Sequence, residues 1–343
     1  MLPPICFYIP ARYLPADLPA DVESNWLGFA LGIHAWTLQT YLRLKADGFP
    51  CQLVTEMPKE GIVIAHRNAL HQYKYRFRPG KNLLLICIKA DGEPYPYAQL
   101  HIVQNLQEML TVPNGYYIPH WTQPGLIPRD RHRGDRFENI GFFGHQNNLV
   151  PELLDPAWER QLKELGLNWC PAINCNHWSD YRGITVAWND YSQIDAVVAV
   201  RSFGSENYYL YKPATKLYNC WLAGVPAILG WESAFRAEGW SDRDYLEVTS
   251  PSELIAALKR LKTDRELRHR LVQNGCAQTH RIRTDAIAWE WRKFLTTIAV
   301  PAWENWRVQS FWEQQKKLTA DFLSFAIDKG RSKLKIPSLV GNP

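Results

Sequence analysis

Organised cysteine is missing from this sequence. Cys6, Cys51, Cys87, Cys170, Cys175, Cys220 and Cys276 are odd in number, scattered, and form no CxxC pair. That pattern fits neither a disulfide framework nor a zinc ribbon, and it reads as reduced thiols in a cytosolic protein. No apolar run approaches the ~20 residues of a membrane span. The longest, such as Leu83–Ile88, are strand-sized. No basic leader pattern opens the chain, so no secretory signal is expected. HExxH, GxxxxGK and GxSxG are absent, as is any Asp-rich metal loop, which argues against a zincin, a P-loop NTPase and an α/β-hydrolase. The one DxD spacing, Asp242-Arg243-Asp244, reads as a surface loop, so no metal site is expected. No short-period repeat appears. The net charge of +5 and pI of about 8.7 fall short of the concentrated charge of a nucleic-acid binder. They suit a phosphate-bearing ligand or an acidic membrane surface.

What is present is length and aromatic mass. A chain of 343 residues is comfortable for two domains. Its 15 Trp and 16 Tyr supply core area, and in such numbers also line grooves that hold sugars or bases. Short apolar strands are expected at Ile5–Ile9, Cys51–Thr55, Gly61–Ala65, Leu83–Ile88 and Ala98–Asn105, with a helix over Ala35–Ala46 closed by Gly48. Such alternation predicts a parallel α/β sheet. Pro119, Pro124 and Pro128, followed by the basic stretch Arg129–Arg136, mark an interdomain crossing. A second α/β set follows. Strands are expected at Ile140–Phe143, Ile184–Trp188, Asp195–Val200 and Pro226–Leu229, with helices at Pro156–Leu165, Pro213–Ala223, Ser252–Leu261 and Asp264–Thr279. The reading is a first Rossmann-like domain over 1–120, a linker over 121–138, a second Rossmann-like domain over 139–285, and a helical segment with a basic tail over 286–343. In that last segment Val308, Phe311, Trp312, Leu318, Phe322 and Phe325 recur at helical spacing as one apolar stripe. Lys329–Lys335 then places four basic residues in seven.

The stretch that carries chemistry is Asp195–Leu229, whose grammar is strand, loop, helix, strand. Its loop holds Arg201, Gly204, Ser205 and Glu206, and its helix opens with Lys212, Pro213, Thr215 and Lys216. Loop-to-helix junctions after a parallel strand are where open α/β sheets bind ligands. A helix N-terminus offers free N–H groups and partial positive charge to phosphate. Two lysines there oppose the helix dipole and cost stability unless an anion joins them. The spacing therefore predicts a diphosphate ligand, clamped by Arg201 and given a hydroxyl donor by Thr215.

The run YKPATKLYNCWLAGVPAIL resembles the donor-binding segment of GT-B glycosyltransferases, and of their retaining family-four branch in particular, in its KPxxKL variant. Gly224-Val225-Pro226-Ala227-Ile228 matches the small-Gly-x-Pro-hydrophobic end of that segment. The resemblance implies a GT-B fold, with two Rossmann-like domains facing a cleft and C-terminal helices crossing back. It implies a hexosyl-transferring enzyme that needs no metal or resident cofactor, with a nucleotide-diphosphate sugar as co-substrate and a glycan or lipid-linked acceptor. It also implies transfer with retention, in polysaccharide biosynthesis. The branch's usual pair of glutamates, eight positions apart, is replaced here by Tyr211 and Asn219. That replacement motivates an alternative, a GT-B-shaped binding protein without transferase activity; a sugar-nucleotide epimerase is a third reading, and the lack of an acid/base carboxylate pair counts against it.

Site residues follow from both readings. Lys216, Arg201 and Glu206 are the expected catalytic groups. Lys212, Thr215, Asn219, Tyr211, Gly144, His145 and Asn147 are expected on the donor. Gly32, His34, His66 and Arg67 are expected on the acceptor side, and His120 and Trp121 in the hinge packing. The C-terminal stripe and basic tail are expected to pack between domains or to contact the inner face of a membrane.

Overall fold

The computed structural model describes residues 2–14, 16–176 and 183–333. Two parallel sheets organise the chain. The first is built from β1 (Ile5–Tyr8), β2 (Gln52–Val54), β3 (Gly61–His66), β4 (Leu83–Ile88), β5 (Leu100–Val103) and β6 (Gly115–Tyr117), in spatial order β2-β1-β3-β4-β5-β6. β3 and β4 pair over their full length, from Gly61 opposite Leu83 to His66 opposite Ile88. Both strands are buried throughout, as their unbroken apolar runs require of a sheet covered on both faces. Helices α1 (Gln39–Ala46) and α2 (Arg67–His71) belong to this half. α1 is preceded by a π-helical turn over His34–Leu38.

The second sheet contains β7 (Asn139–His145), β8 (Asn168–Asn174), β9 (Ala196–Ala199), β10 (Ala227–Gly230) and β11 (Leu246–Val248), in order β11-β10-β9-β7-β8. Its helices are α3 (Pro156–Glu164), α4 (Thr215–Ala223), α5 (Ser233–Glu238), α6 (Pro251–Thr263) and α7 (Arg265–Gln278). Each sheet encloses its own apolar core. In each, the strand order reverses next to the first strand, between β1 and β3 and between β7 and β9. Ligands of open α/β sheets bind at those reversals, beyond the carboxyl ends of the strands.

Three strands, β6, β8 and β11, and two short helices, α2 and α5, were not expected from the sequence. β6 and β11 have three residues each and α5 has six, too short to show a period. β8 hides behind Pro171, which cannot donate to a ladder; it is tolerated because β8 lies at the sheet edge and pairs with β7 alone. Conversely, Ile184–Trp188 is not a strand. The Asn174 side chain takes the N–H groups of Thr185 and Val186, and Ile184 packs into the core of the first sheet.

The chain then returns. α8 (Thr284–Phe294), α9 (Val300–Val308) and α10 (Phe311–Lys333) follow α7, and Trp291, Phe294, Leu295, Trp306 and Leu318 enter the first sheet's core. The indole N–H groups of Trp303 and Trp306 donate to the carbonyls of Asn82 and Gly80, just before β4. The expected single stripe is divided. Leu318 is buried, and Phe322 stacks on Tyr97 with ring centroids 5.5 Å apart. Val308 and Trp312 are 78% and 79% exposed, with Phe311 beside them. The basic run passes out of the described residues at 334.

Candidate functional site

The carboxyl ends of β7, β9 and β10 bring three loops together. β7 ends in Gly144 and His145, β9 runs into Arg201, and β10 runs into Glu232. α4 begins at Thr215, with no side chain capping its N-terminus. The helix starts two residues later than the sequence suggests, and this removes the expected pair of helix-borne lysines. Lys212 lies ahead of the helix and is bonded to Asp91 of the first domain. Lys216 alone rides on the first turn. Its ammonium lies 5.2 Å from the Phe142 ring centre, and a Cβ at Gly144 would come within 3.0 Å of it. Gly144 is thus the residue that lets Lys216 pass over the strand end.

Arg201 is the centre of a small charged cluster. It donates to Glu232 and, at 3.2 Å, to the Asn148 side chain. Burial, and then the charge of Arg201, push the Lys216 ammonium down to about 7. A cation held that low gains from a neighbouring anion, because the anion restores the charged form. Two buried oxygens in the cluster have no partner among the described residues, Thr215 Oγ1 and Glu232 Oε1. Buried polar atoms are nearly always satisfied, so both oxygens are available to hydrogen-bond a ligand that enters the cluster.

The first domain supplies the facing wall. Gln104, beyond the end of β5, donates to Asp91 and to the Tyr211 carbonyl, and Asn105 donates to Ser233. His66, at the end of β3, accepts from Asn68 N–H through Nδ1. Its buried Nε2 has no partner among the described residues, and a Cβ at Gly32 would stand 3.4 Å from it. Burial pushes His66 down to about 3, with Asp91 only partly offsetting it. The ring is neutral, and with Nδ1 accepting, Nε2 carries the hydrogen. His66 therefore offers a donor rather than a base.

The remaining expected residues sit elsewhere or are already engaged. Glu206 is exposed and makes no hydrogen bond or ion pair among the described residues. The acid beside Arg201 is Glu232, which the sequence reading did not select. Its signal was available, since an acid follows a buried strand in the same position as Arg201. Asn219 accepts from Gln123 N–H and reaches Tyr191, so it fastens the linker. Both ring nitrogens of His34 face main-chain carbonyls, of Gly28 and Tyr13. His145 caps the following turn and meets the Asn176 carbonyl, while Asn147 is exposed. Arg67 donates to the Glu93 carbonyl and to Tyr75 OH, and is a packing residue. His120 and Trp121 are packing residues too. His120 lies against Trp36 at 4.5 Å, and Trp121 donates to Thr40.

Two parallel α/β domains opposed at their strand ends, with terminal helices returning to the first, make a GT-B fold. No protein-family model and no curated protein matches the sequence. Among solved structures, a Staphylococcus aureus TarM variant in complex with fondaparinux, α-GlcNAc-glycerol and UDP is similar over 76% of this chain and 58% of that one, with a TM-score of 0.50 and 10% identity. Anabaena HepE in complex with UDP and glucose is similar over 86% of this chain and 100% of that one, with a TM-score of 0.49 and 12% identity. The chain spans only 58% of the TarM chain, and likeness at this identity speaks for the fold alone.

Proposed function

We propose that the protein transfers a hexosyl unit from a nucleotide-diphosphate sugar to a hydroxyl of a glycan or lipid-linked acceptor. The observation that carries this reading is the cluster of Arg201, Lys216 and the uncapped N-terminus of α4, set beside two unpartnered buried oxygens. The diphosphate lies on the α4 N–H groups and Thr215 Oγ1, with Arg201 and Lys216 on its oxygens. Glu232 Oε1 and His66 Nε2–H hold sugar hydroxyls from opposite walls. In the reaction the acceptor oxygen bonds to the anomeric carbon, the bond to the diphosphate oxygen breaks, and the acceptor's hydroxyl proton passes to the departing diphosphate. The leaving electron pair is stabilised by two fixed cations and a helix terminus, with no reorganisation needed as charge develops. Retention of configuration is carried by the sequence resemblance alone. The exposed Val308, Phe311 and Trp312 would bring the enzyme to a lipid surface where lipid-linked acceptors are presented.

A second reading has its own support. Asn219 is committed to the linker, Tyr211 replaces a carboxylate and Glu206 is remote. A chain that binds nucleotide sugar without turning it over would look the same. The deciding experiment measures thermal unfolding with UDP, GDP, ADP and their sugars, together with product formation from a labelled donor. A nucleotide at a hundredfold its dissociation constant stabilises the native state by about 2.7 kcal/mol. A selective shift in wild type that vanishes in Lys216→Ala, with labelled product from wild type alone, is the expected result. A shift without product supports the binding reading, and no shift with any nucleotide overturns both.

A further inference from the structure

A cavity of about 400 Å³ opens next to the interdomain site, beyond the ends of β4 and β5. Three parts of the chain make it. The first domain gives its floor, the loop before α4 gives Leu210 and Tyr211, and α10 gives Ser324, Phe325 and Asp328. The cavity shares a wall with the candidate site, because Tyr211 lines it while the Tyr211 carbonyl accepts from Gln104. It exists because the terminal helices return to the first domain. None of its lining groups is spent on the donor in the reading above.

Its chemistry is uneven. Pro94, Ala98, Val112 and Phe325 make apolar walls. At the floor the Lys89–Glu108 ion pair is buried, with side chains 8% and 3% exposed. Glu108 Oε1 takes the lysine, and Oε2 has no partner among the described residues. Lys329 is paired with Glu93. Asp321 pairs with Lys317, which is outside the lining, and Asp328 has no ion pair among the described residues. The lining holds four carboxylates, Glu93, Glu108, Asp321 and Asp328, against two lysines. With Glu93, Glu108 and Asp321 each paired, the exposed Asp328 is left as the uncompensated charge, and it biases the cavity against anions. Apolar and aromatic walls that end in a few fixed acceptors are what a sugar ring needs: the C–H face packs and the hydroxyls donate.

We propose that this cavity holds a saccharide unit of the acceptor, one that is uncharged or carries an amine. One face of the ring packs on Phe325 and Tyr211, and a hydroxyl or ammonium hydrogen is donated to Glu108 Oε2. The proposal rests on the transferase reading and names the acceptor class for the same cleft. The test uses the full chain, glucose, glucosamine and glucuronate as probes, and ligand-observed NMR. Ser324→Trp fills the mouth from an exposed helix position and Asp328→Lys reverses an exposed charge, so neither disturbs the core. Glucose and glucosamine are expected to bind, with glucuronate at least about tenfold weaker. Ser324→Trp is expected to weaken both sugars by at least about tenfold, and Asp328→Lys to erase the preference over glucuronate. Both variants should keep the wild-type melting shift with UDP. Equal binding of glucuronate, indifference to Ser324→Trp, or no saccharide binding while the UDP shift persists would each overturn the assignment. Saccharide binding that responds to Ser324→Trp in a chain that ignores every nucleotide supports the cavity and overturns the donor site.

Discussion

Lys216 is a cation kept where a cation is unwelcome. It sits at the positive end of α4, beside Arg201 and partly buried, and burial with Arg201 lowers it from 10.5 to about 7. The sign of the consequence is fixed. A lysine lowered on folding binds fewer protons in the native state than in the unfolded chain between pH 7 and pH 10.5. Stability of the ligand-free protein therefore rises with pH across that window, and the full cost is felt below pH 7. Urea unfolding at pH 7, 8 and 9 should show this rise in wild type and lose it in Lys216→Met. A diphosphate reverses the effect by favouring the ammonium. Calorimetry of UDP binding at pH 8, in buffers of different ionisation enthalpy, should report proton uptake in wild type and none in Lys216→Met. His66 makes the opposite case at the same scale. It is neutral at ordinary pH, so no histidine step should appear in the pH profile between 5 and 7 on its account.

At the scale of elements, the second domain depends on what precedes its strands. Asp195 stands immediately before β9, almost fully buried. It takes Arg133 and Arg129 and the N–H groups of Glu138 and Asn139 at the start of β7. Burial by itself would raise its carboxyl, but these six hydrogen bonds hold it below the usual carboxylate value. One side chain thus registers the basic linker against two strands. The segment Arg129–Arg136, which reads from sequence as part of an interdomain crossing, is in part a structural clamp. Asp195→Ala would leave Arg133 buried without its partner and should cost about 3–5 kcal/mol, seen as earlier urea unfolding of the second domain. Because the native carboxyl is lowered, this contribution is present at neutral pH and is lost as pH falls through the native value.

Across the whole molecule, the returning helices decide both closure and surface. Trp291, fully buried, and Trp306 fix α8 and α9 to the first domain, while the α9–α10 junction leaves Val308, Phe311 and Trp312 in the open. Among the described residues no helix is long and apolar enough to cross a membrane. The exposed junction instead suits contact at a lipid surface. Sedimentation with anionic phospholipid vesicles should carry the protein down, and Phe311→Ser/Trp312→Ser should reduce that binding while turnover of a soluble acceptor stays unchanged. Equal sedimentation of the double variant would remove the membrane assignment.

The sequence by itself determined the elements whose cause is local. Unbroken apolar runs dictated β3 and β4, since a run such as Leu83–Ile88 has no polar face to expose. The left-handed Gly224 fixed the end of α4, with φ of 69°. The order of β9, the loop after it and α4 was legible, because strand, loop and helix start are contiguous in sequence. What only the tertiary structure decided depends on distant partners. Pro171 concealed a strand that its edge position permits, and the expected strand at Ile184–Trp188 gave way to the Asn174 side chain. Lys212 was claimed by Asp91 and Asn219 by Gln123, across domain boundaries that periodicity does not register. Glu206 and Glu232 carry the same functional group. Which one meets Arg201 is settled by strand order, since β10 lies beside β9 and sets the residue after it at the same sheet edge.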